Sequence, residues 1–294
     1  MLHIDDIKER LVRNPIPSDI LKIRDNITNT FSNLEFIEKG HKYYLHKEDG
    51  STVELPSVSA VCHKFQPFVD WNMIQLRQSV KLGIPVEKLK RSWKENNIKA
   101  TTSGTIAHEF GEAHVPFAMG EPDSMPEYIF NRQFIDGFLI PCGNKEVAIS
   151  QFWKDMLQVD QLYPVMAEAK IYTKDDNMFG IKNHYCGTFD LLTAFKSNDG
   201  KWKLILNDYK TNESLENDYN QKHKNTLLEP FTDLIDEPLS LYTIQLSLYS
   251  IGLLQLGYEI ADRKIIWLKD DGTYEKISVP DVTNQLIEVL KNPV

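Results

Sequence analysis

An acid and a lysine stand two residues apart at the end of an apolar run, Leu204-Ile205-Leu206-Asn207-Asp208-Tyr209-Lys210-Thr211. Side chains at i and i+2 of a strand share one face. Asp208 can therefore hold a cation while Lys210 reaches the same phosphate or water. The triplet alone is not specific, because Asp-x-Lys also begins at Asp6, Asp199 and Asp262, and Glu168-Ala169-Lys170 is a Glu version. What sets Asp208 apart is a second acid in the preceding apolar segment, Cys186-Gly187-Thr188-Phe189-Asp190-Leu191-Leu192. The charged turn Lys196-Ser197-Asn198-Asp199-Gly200-Lys201 follows, and the whole reads as a β-hairpin. Asp190 and Asp208 on neighbouring strands can share a hard cation, and Mg²⁺ suits such a site, since one or two carboxylates plus water and phosphate oxygens bind it. Taken singly, each residue has an ordinary reading: Asp190 ends a strand, Asp208 opens a turn, and Lys210 is solvated.

Two more segments fit the same order along the chain. Upstream, Thr102-Ser103-Gly104-Thr105-Ile106-Ala107-His108-Glu109 reads as a helix start, with Ser103 or Thr102 as N-cap and His108 about one turn inside. Downstream, Tyr242-Thr243-Ile244-Gln245-Leu246-Ser247-Leu248-Tyr249 is an apolar helix with Gln245 and Tyr249 on one side, at i and i+4.

With Gly104-x-x-x-His108, Glu168, Gly187-x-x-Asp190, Asp208-x-Lys210 and Gln245-x-x-x-Tyr249 in this order, the chain resembles the PD-(D/E)XK nuclease superfamily. The likeness is to its His-containing branch, which includes the RecB nuclease domain and the mitochondrial genome maintenance exonuclease, and it runs from about residue 57 to 266. Phe189-Asp190 stands where the family has Pro-Asp. The resemblance implies His108, Asp190, Asp208 and the Tyr209 carbonyl as metal ligands, with Lys210 catalytic. It also implies a supporting acid in Glu168, and Gln245 and Tyr249 as an accessory helix motif that contacts DNA. A metal in such a site neutralises non-bridging phosphate oxygens and lowers the pKa of a bound water. Lys210 would orient that water or stabilise developing charge; as a base it would need a lowered pKa. The imidazole among oxygens admits Mn²⁺ as readily as Mg²⁺. The implied products carry a 5′-phosphate and a 3′-hydroxyl.

The formal charge of −9 runs against a nucleic-acid enzyme, whose affinity comes largely from phosphate contacts. Its distribution matters more. Residues 81–99 carry Lys81, Lys88, Lys90, Arg91, Lys94 and Lys99 against Glu87 and Glu95, a local +4. Phe65, Phe68, Trp71 and Trp93 nearby offer stacking platforms for single-stranded bases, and an ordinary solvated helix with core aromatics fits equally well. Lys90, Arg91, Trp93 and Lys94 are the DNA-binding candidates here. Cys62, Cys142 and Cys186 are three and far apart, as expected of buried reduced thiols, and too few for the four-cysteine iron–sulfur cluster that some relatives carry. No apolar run approaches the roughly 20 residues of a membrane span. The start, Met1-Leu2-His3-Ile4-Asp5-Asp6, has no basic and apolar leader pattern, so a cytoplasmic protein of a bacterial or phage-infected cell is expected.

A hydrophobic fraction of 41% over 294 residues allows a substantial core. The expected class is α/β: a PD-(D/E)XK restriction-endonuclease-like mixed sheet flanked by helices, with a helical N-terminal part. Residues 1–56 read as an appendage of short helices and a hairpin, and 57–294 as the nuclease domain, mainly helical to 160. Breaks are expected near Pro85, Pro116 and Pro141. Strands follow near 163–173, 184–195 and 202–210, then a polar loop over 212–239 that reads as mobile at the mouth of the site. A helix over 240–257, a strand near 263–268 and a final strand and helix complete the chain. No Walker phosphate loop is present, so any unwinding comes from a separate helicase or recombination protein. The expected activity is that of a metal-dependent DNA exonuclease of replication, repair or phage recombination, favouring single-stranded or frayed ends, with oligomers known in some relatives. The alternatives are a structure-specific endonuclease, an RNase, or a catalytically weak adaptor that binds DNA ends.

Overall fold

The computed structural model describes residues 16–119, 134–135, 138–139, 143–174 and 178–292. Three isoleucines at helical spacing, Ile20, Ile23 and Ile27, bury one face of α1 (Ser18–Thr30). A three-stranded antiparallel sheet follows, β1 (Leu34–Ile37), β2 (Lys42–His46) and β3 (Thr52–Leu55), in that spatial order. The Ser57 hydroxyl accepts the Ala60 N–H and starts α2 (Val58–His63), as its sequence suggests. Next come α3 (Trp71–Leu82), α4 (Val86–Met119), the short pair β4 (Phe134–Ile135) and β5 (Phe138–Leu139), and α5 (Asn144–Gln158).

The main sheet has the order β10-β9-β8-β7-β6, built from β6 (Tyr163–Tyr172), β7 (Cys186–Lys196), β8 (Trp202–Lys210), β9 (Ile260–Leu268) and β10 (Tyr274–Ser278). The β7–β8 hairpin closes at the expected turn, where Gly200 supplies a φ of +80° and Ser197 N–H donates to the Lys201 carbonyl. Between β8 and β9 the chain passes through α6 (Asp218–His223) and α7 (Pro238–Leu254) and returns parallel to β8, while the other pairings are antiparallel. Helix α8 (Thr283–Lys291) ends the described chain. Helices cover both faces, which is why residues 204–209 of β8 are all buried, the polar Asn207 and Asp208 with the apolar Leu204-Ile205-Leu206. Tyr209 packs on Gly111 of α4 and Trp153 of α5, and Phe189 of β7 packs on Tyr249 of α7.

Three expectations need correction. The helix start at Thr102-Ser103 does not exist: α4 runs through it without a break, and the flanking Thr101 and Thr105 donate their hydroxyls back to the carbonyls of Asn97 and Thr101, a bonding mode that lets hydroxyl residues sit inside a helix. Pro116 lies inside α4 and does not end it. The 212–239 segment carries α6, and Leu215, Leu227 and Phe231 are buried in the main core, so this connection is packed down. The expected break at Pro141, and Cys142, lie outside the described residues, as do the short helices read before residue 16. Cys62 and Cys186 are buried free thiols. Ile20, Ile23, Ile27 and Phe31 of the N-terminal part share the main hydrophobic cluster with the sheet. Among the described residues no helix is long and apolar enough to cross a membrane.

Candidate functional site

A fork in the sheet makes the site. The β7–β8 ladder ends at the pair Leu191–Asn207. Beyond it β7 stays paired to β6 as far as Cys186, and β8 stays paired to β9 as far as Lys210. At the fork the Tyr209 N–H has lost its strand partner and donates instead to Asp190 Oδ2 at 2.7 Å. Asp190 and Asp208 thereby face one cleft of about 920 Å³, which His108, Glu168, Lys210, Gln245 and Tyr249 also line. Helix α4 brings His108, β6 brings Glu168, and α7 brings Gln245 and Tyr249, whose side chains bond each other at 3.3 Å.

Charge compensation is tight. His108 Nδ1 lies 3.3 Å from Asp190 Oδ2. Lys210 Nζ lies 2.5 Å from Asp208 Oδ2 and 4.2 Å from the centre of the Tyr242 ring. The ammonium is thus the charge partner of this buried oxygen. Burial opposes the charge on Asp190, but His108, Lys210 and the Tyr209 N–H outweigh it and hold its pKa below the usual value. His108 is the mirror case: burial pulls its pKa down, and Asp190 more than reverses this. Burial raises the pKa of Asp208, with Lys210 pulling the other way. Lys210 keeps a raised pKa, since Asp208 and Asp190 overcome its desolvation.

Glu168 is the strained member. Its neighbours pair as Ala167–Leu191 and Ala169–Phe189, which sets Glu168 directly across from Asp190. Its φ is +46° in the middle of a strand, a left-handed conformation worth about 1–3 kcal/mol of strain in a non-glycine residue. The side chain is open to water along the cleft and walled by protein elsewhere. That enclosure, and then the Asp190 charge, push its pKa up to about 8.

One ligand atom from each of His108, Glu168 and Asp190 lies within 4.8 Å of the others. Two carboxylates and an imidazole suit a hard or borderline divalent ion such as Mg²⁺ or Mn²⁺. Asp208 is not in this group; Lys210 holds it. The grouping raises Glu168 from the supporting role that the sequence implied.

Four sequence candidates do not reach the cleft. Lys90, Arg91 and Lys94 sit on the solvated first half of α4, where Lys90 pairs with Glu87 at 3.5 Å, and Trp93 is half-buried there. Of the aromatic candidates, Phe65 is buried against Phe231, and Phe68 and Trp71 are exposed away from the cleft. Sequence reading missed Lys170, Glu112 and Thr188, which do line the cleft. Lys170 was visible as the i+2 partner of Glu168, and Glu112 as the i+4 neighbour of His108. Phe36, His41 and Tyr43 of the N-terminal sheet line it too, and no local signal foretold that.

No protein-family model and no curated protein matches the chain. Among solved structures, the crystal structure of SSO0001 matches at 15% identity with a TM-score of 0.26, over 49% of this chain and 63% of that one. The chain thus spans less than two thirds of that protein, and a superposition this loose carries no argument about either.

Proposed function

We propose that the protein is a metal-dependent DNA exonuclease with a PD-(D/E)XK-type site, hydrolysing phosphodiester bonds at DNA ends. The observation that carries this reading is convergence: His108, Glu168, Asp190, Asp208 and Lys210 come from four separate elements and meet at one fork in the sheet. A structural core has no need of a buried Asp208 and a half-buried Asp190 beside one lysine, because taking a carboxylate out of water costs several kcal/mol that its pairing must repay.

His108, Glu168 and Asp190 would hold the ion, with Asp208 and the Tyr209 carbonyl as the further donors that the sequence resemblance implies. When bound, a divalent ion neutralises phosphate oxygens and makes a water nucleophilic near neutral pH. Asp190 fixes the end of β8 through the Tyr209 N–H and orients His108. Lys210 stays an ammonium, aimed by Asp208 and the Tyr242 ring, and stabilises negative charge as it builds on the phosphate. A base role for Lys210 is disfavoured by the same two carboxylates. Gln245 and Tyr249 form the α7 wall against the substrate.

The test is a digestion time course on single- and double-stranded DNA labelled separately at each end, in Mg²⁺, Mn²⁺ or EDTA. Progressive shortening from an end in either metal, abolished by EDTA, is the expected result. Internal cuts would favour an endonuclease of the same site. Binding to DNA ends with no turnover in any metal would favour an adaptor.

A further inference from the structure

The cleft is a poor place for a polyanion to bind by charge. Its walls carry six carboxyl groups, from Glu38, Glu109, Glu112, Glu168, Asp190 and Asp208, against three cations, Lys170, Lys210 and the His108 imidazole whose pKa Asp190 raises. A bound divalent ion offsets part of that, at one phosphate. Holding a nucleic-acid strand there calls for a contact indifferent to phosphate charge.

The N-terminal sheet supplies one. Phe36 and Tyr43 are cross-strand partners on one face of β1–β2, with ring centroids 4.7 Å apart. The ring of His41 stands edge-on to Phe36 at 5.0 Å, on a turn in which Gly40 and His41 both take positive φ. Tyr43 is buried and anchors the group: its hydroxyl meets Thr188 Oγ1 at 3.2 Å. Phe36 is half-buried and His41 exposed, so these two present ring surface to the cleft. Thr188 is two residues from Asp190 on β7, about 7 Å along a strand, so the aromatic edge is tied down about one nucleotide's reach from the carboxylates.

We propose that the Phe36–His41 edge of the N-terminal sheet stacks an unpaired base of a single-stranded DNA end whose phosphate lies at the carboxylate cluster, which rests on the nuclease reading above. A ring face reads any base and is blind to phosphate charge, and it is reachable only by a base freed from its duplex partner. The preference for single strands then resides in the N-terminal sheet, and the basic face of α4 plays no part in it.

The test uses the full chain and steady-state kinetics on a single-stranded oligonucleotide and on a set with one abasic residue at each of the first six positions from the attacked end. For the wild type, one position should cost about tenfold in kcat/KM when abasic, the size of a single stacking contact. Phe36→Leu with His41→Asn keeps apolar volume and tolerance of positive φ but removes both rings. It should lose about tenfold on intact DNA, through KM, and become indifferent to the abasic position. Phe36→Trp with His41 kept should retain both the rate and the abasic effect, with thermal melting checking that each variant folds. Ring removal that leaves kcat/KM within twofold, or that leaves the abasic effect in place, overturns the proposal while the nuclease reading stands. A wild type that cleaves no DNA in any metal overturns both.

Discussion

Two Asp-x-Lys triplets lie on adjacent parallel strands, Asp208-Tyr209-Lys210 on β8 and Asp262-Arg263-Lys264 on β9, and only the first lines the cleft. In both, the acid and lysine share one side of a strand and meet as an ion pair, at 2.5 Å and 3.5 Å. The surroundings differ. Asp208 is buried, with Asp190, His108 and Glu168 converging on it across the fork. Asp262 sits near the start of β9, partly open to solvent, where Ser278 Oγ donates to Oδ2 and the Arg263 N–H to Oδ1. Its hydrogen-bonding capacity is spent on its own hairpin. The same three-residue pattern lines a cleft in one place and forms a partly solvated pair in the other, and the β7–β8 ladder stops beside the first.

Replacing the two lysines in turn is the sharpest way to break this comparison. Lys210→Met should lower kcat by at least about a hundredfold, the loss typical when a preorganised charge-stabilising group is removed. Lys264→Met should stay within about twofold. Equal losses would mean that the fork confers nothing.

A buried histidine stands behind the first triplet. Tyr209 accepts a hydrogen bond from Trp153 Nε1 at 3.0 Å, and His114 stacks on Trp153. His114 Nδ1 donates to the Phe110 carbonyl at 2.7 Å, and buried Nε2 has no partner among the described residues. Burial, only partly opposed by that carbonyl, lowers its pKa from 6.5 to about 4. The unfolded chain then binds a proton that the folded chain refuses. The His114 contribution is therefore intact above about pH 6.5 and lost as pH falls toward 4, by about 3 kcal/mol in all. Denaturant melts of wild type and His114→Leu across pH 4–7 should show the difference between them changing over that window; a constant difference contradicts the buried neutral imidazole.

Glycine makes the same anchor possible. A Cβ on Gly111 would lie 2.7 Å from Tyr209 Cε2, whereas one on Gly104 would meet only the Thr211 hydroxyl at 3.2 Å. Gly111→Ala should cost about 1–3 kcal/mol by overpacking, and Gly104→Ala much less. Thermal melts of the two would check this.

Smallest is the effect of relaxing Glu168. Glu168→Gly releases about 1–3 kcal/mol of left-handed strain and gives back about 0.5–1 kcal/mol for glycine in a strand. A net gain of about 1 kcal/mol in stability, together with a loss of activity, is expected. A variant both less stable and fully active would remove Glu168 from the site.

The strands were legible because apolar runs bounded by turn residues leave little choice: Asn198-Asp199-Gly200 reads as a turn, and Leu204-Ile205-Leu206 as the interior of a strand. Helix α7 was legible for the same reason. The seam at Thr102-Ser103 was misleading, since hydroxyl residues serve as caps or bond back within a helix, and the long helix around them decides. The packing of 212–239 was hidden because Leu215, Leu227 and Phe231 follow no period; each drops singly into the core. The acids and the lysine were visible as types at spacings. The backbone strain at Glu168 was not, since no residue type marks a positive φ inside a strand, and neither was the arrival of Phe36 and His41 at the cleft, which depends on contacts more than 100 residues apart such as Tyr43 with Thr188.

One measurement bears most directly on the central claim: digestion of end-labelled single-stranded DNA in Mn²⁺ by wild type, Asp208→Asn and Asp262→Asn, side by side at matched folded concentration. Wild type and Asp262→Asn should shorten the strand at the same rate, and Asp208→Asn should leave it intact. Cleavage by Asp208→Asn at the wild-type rate would contradict that claim.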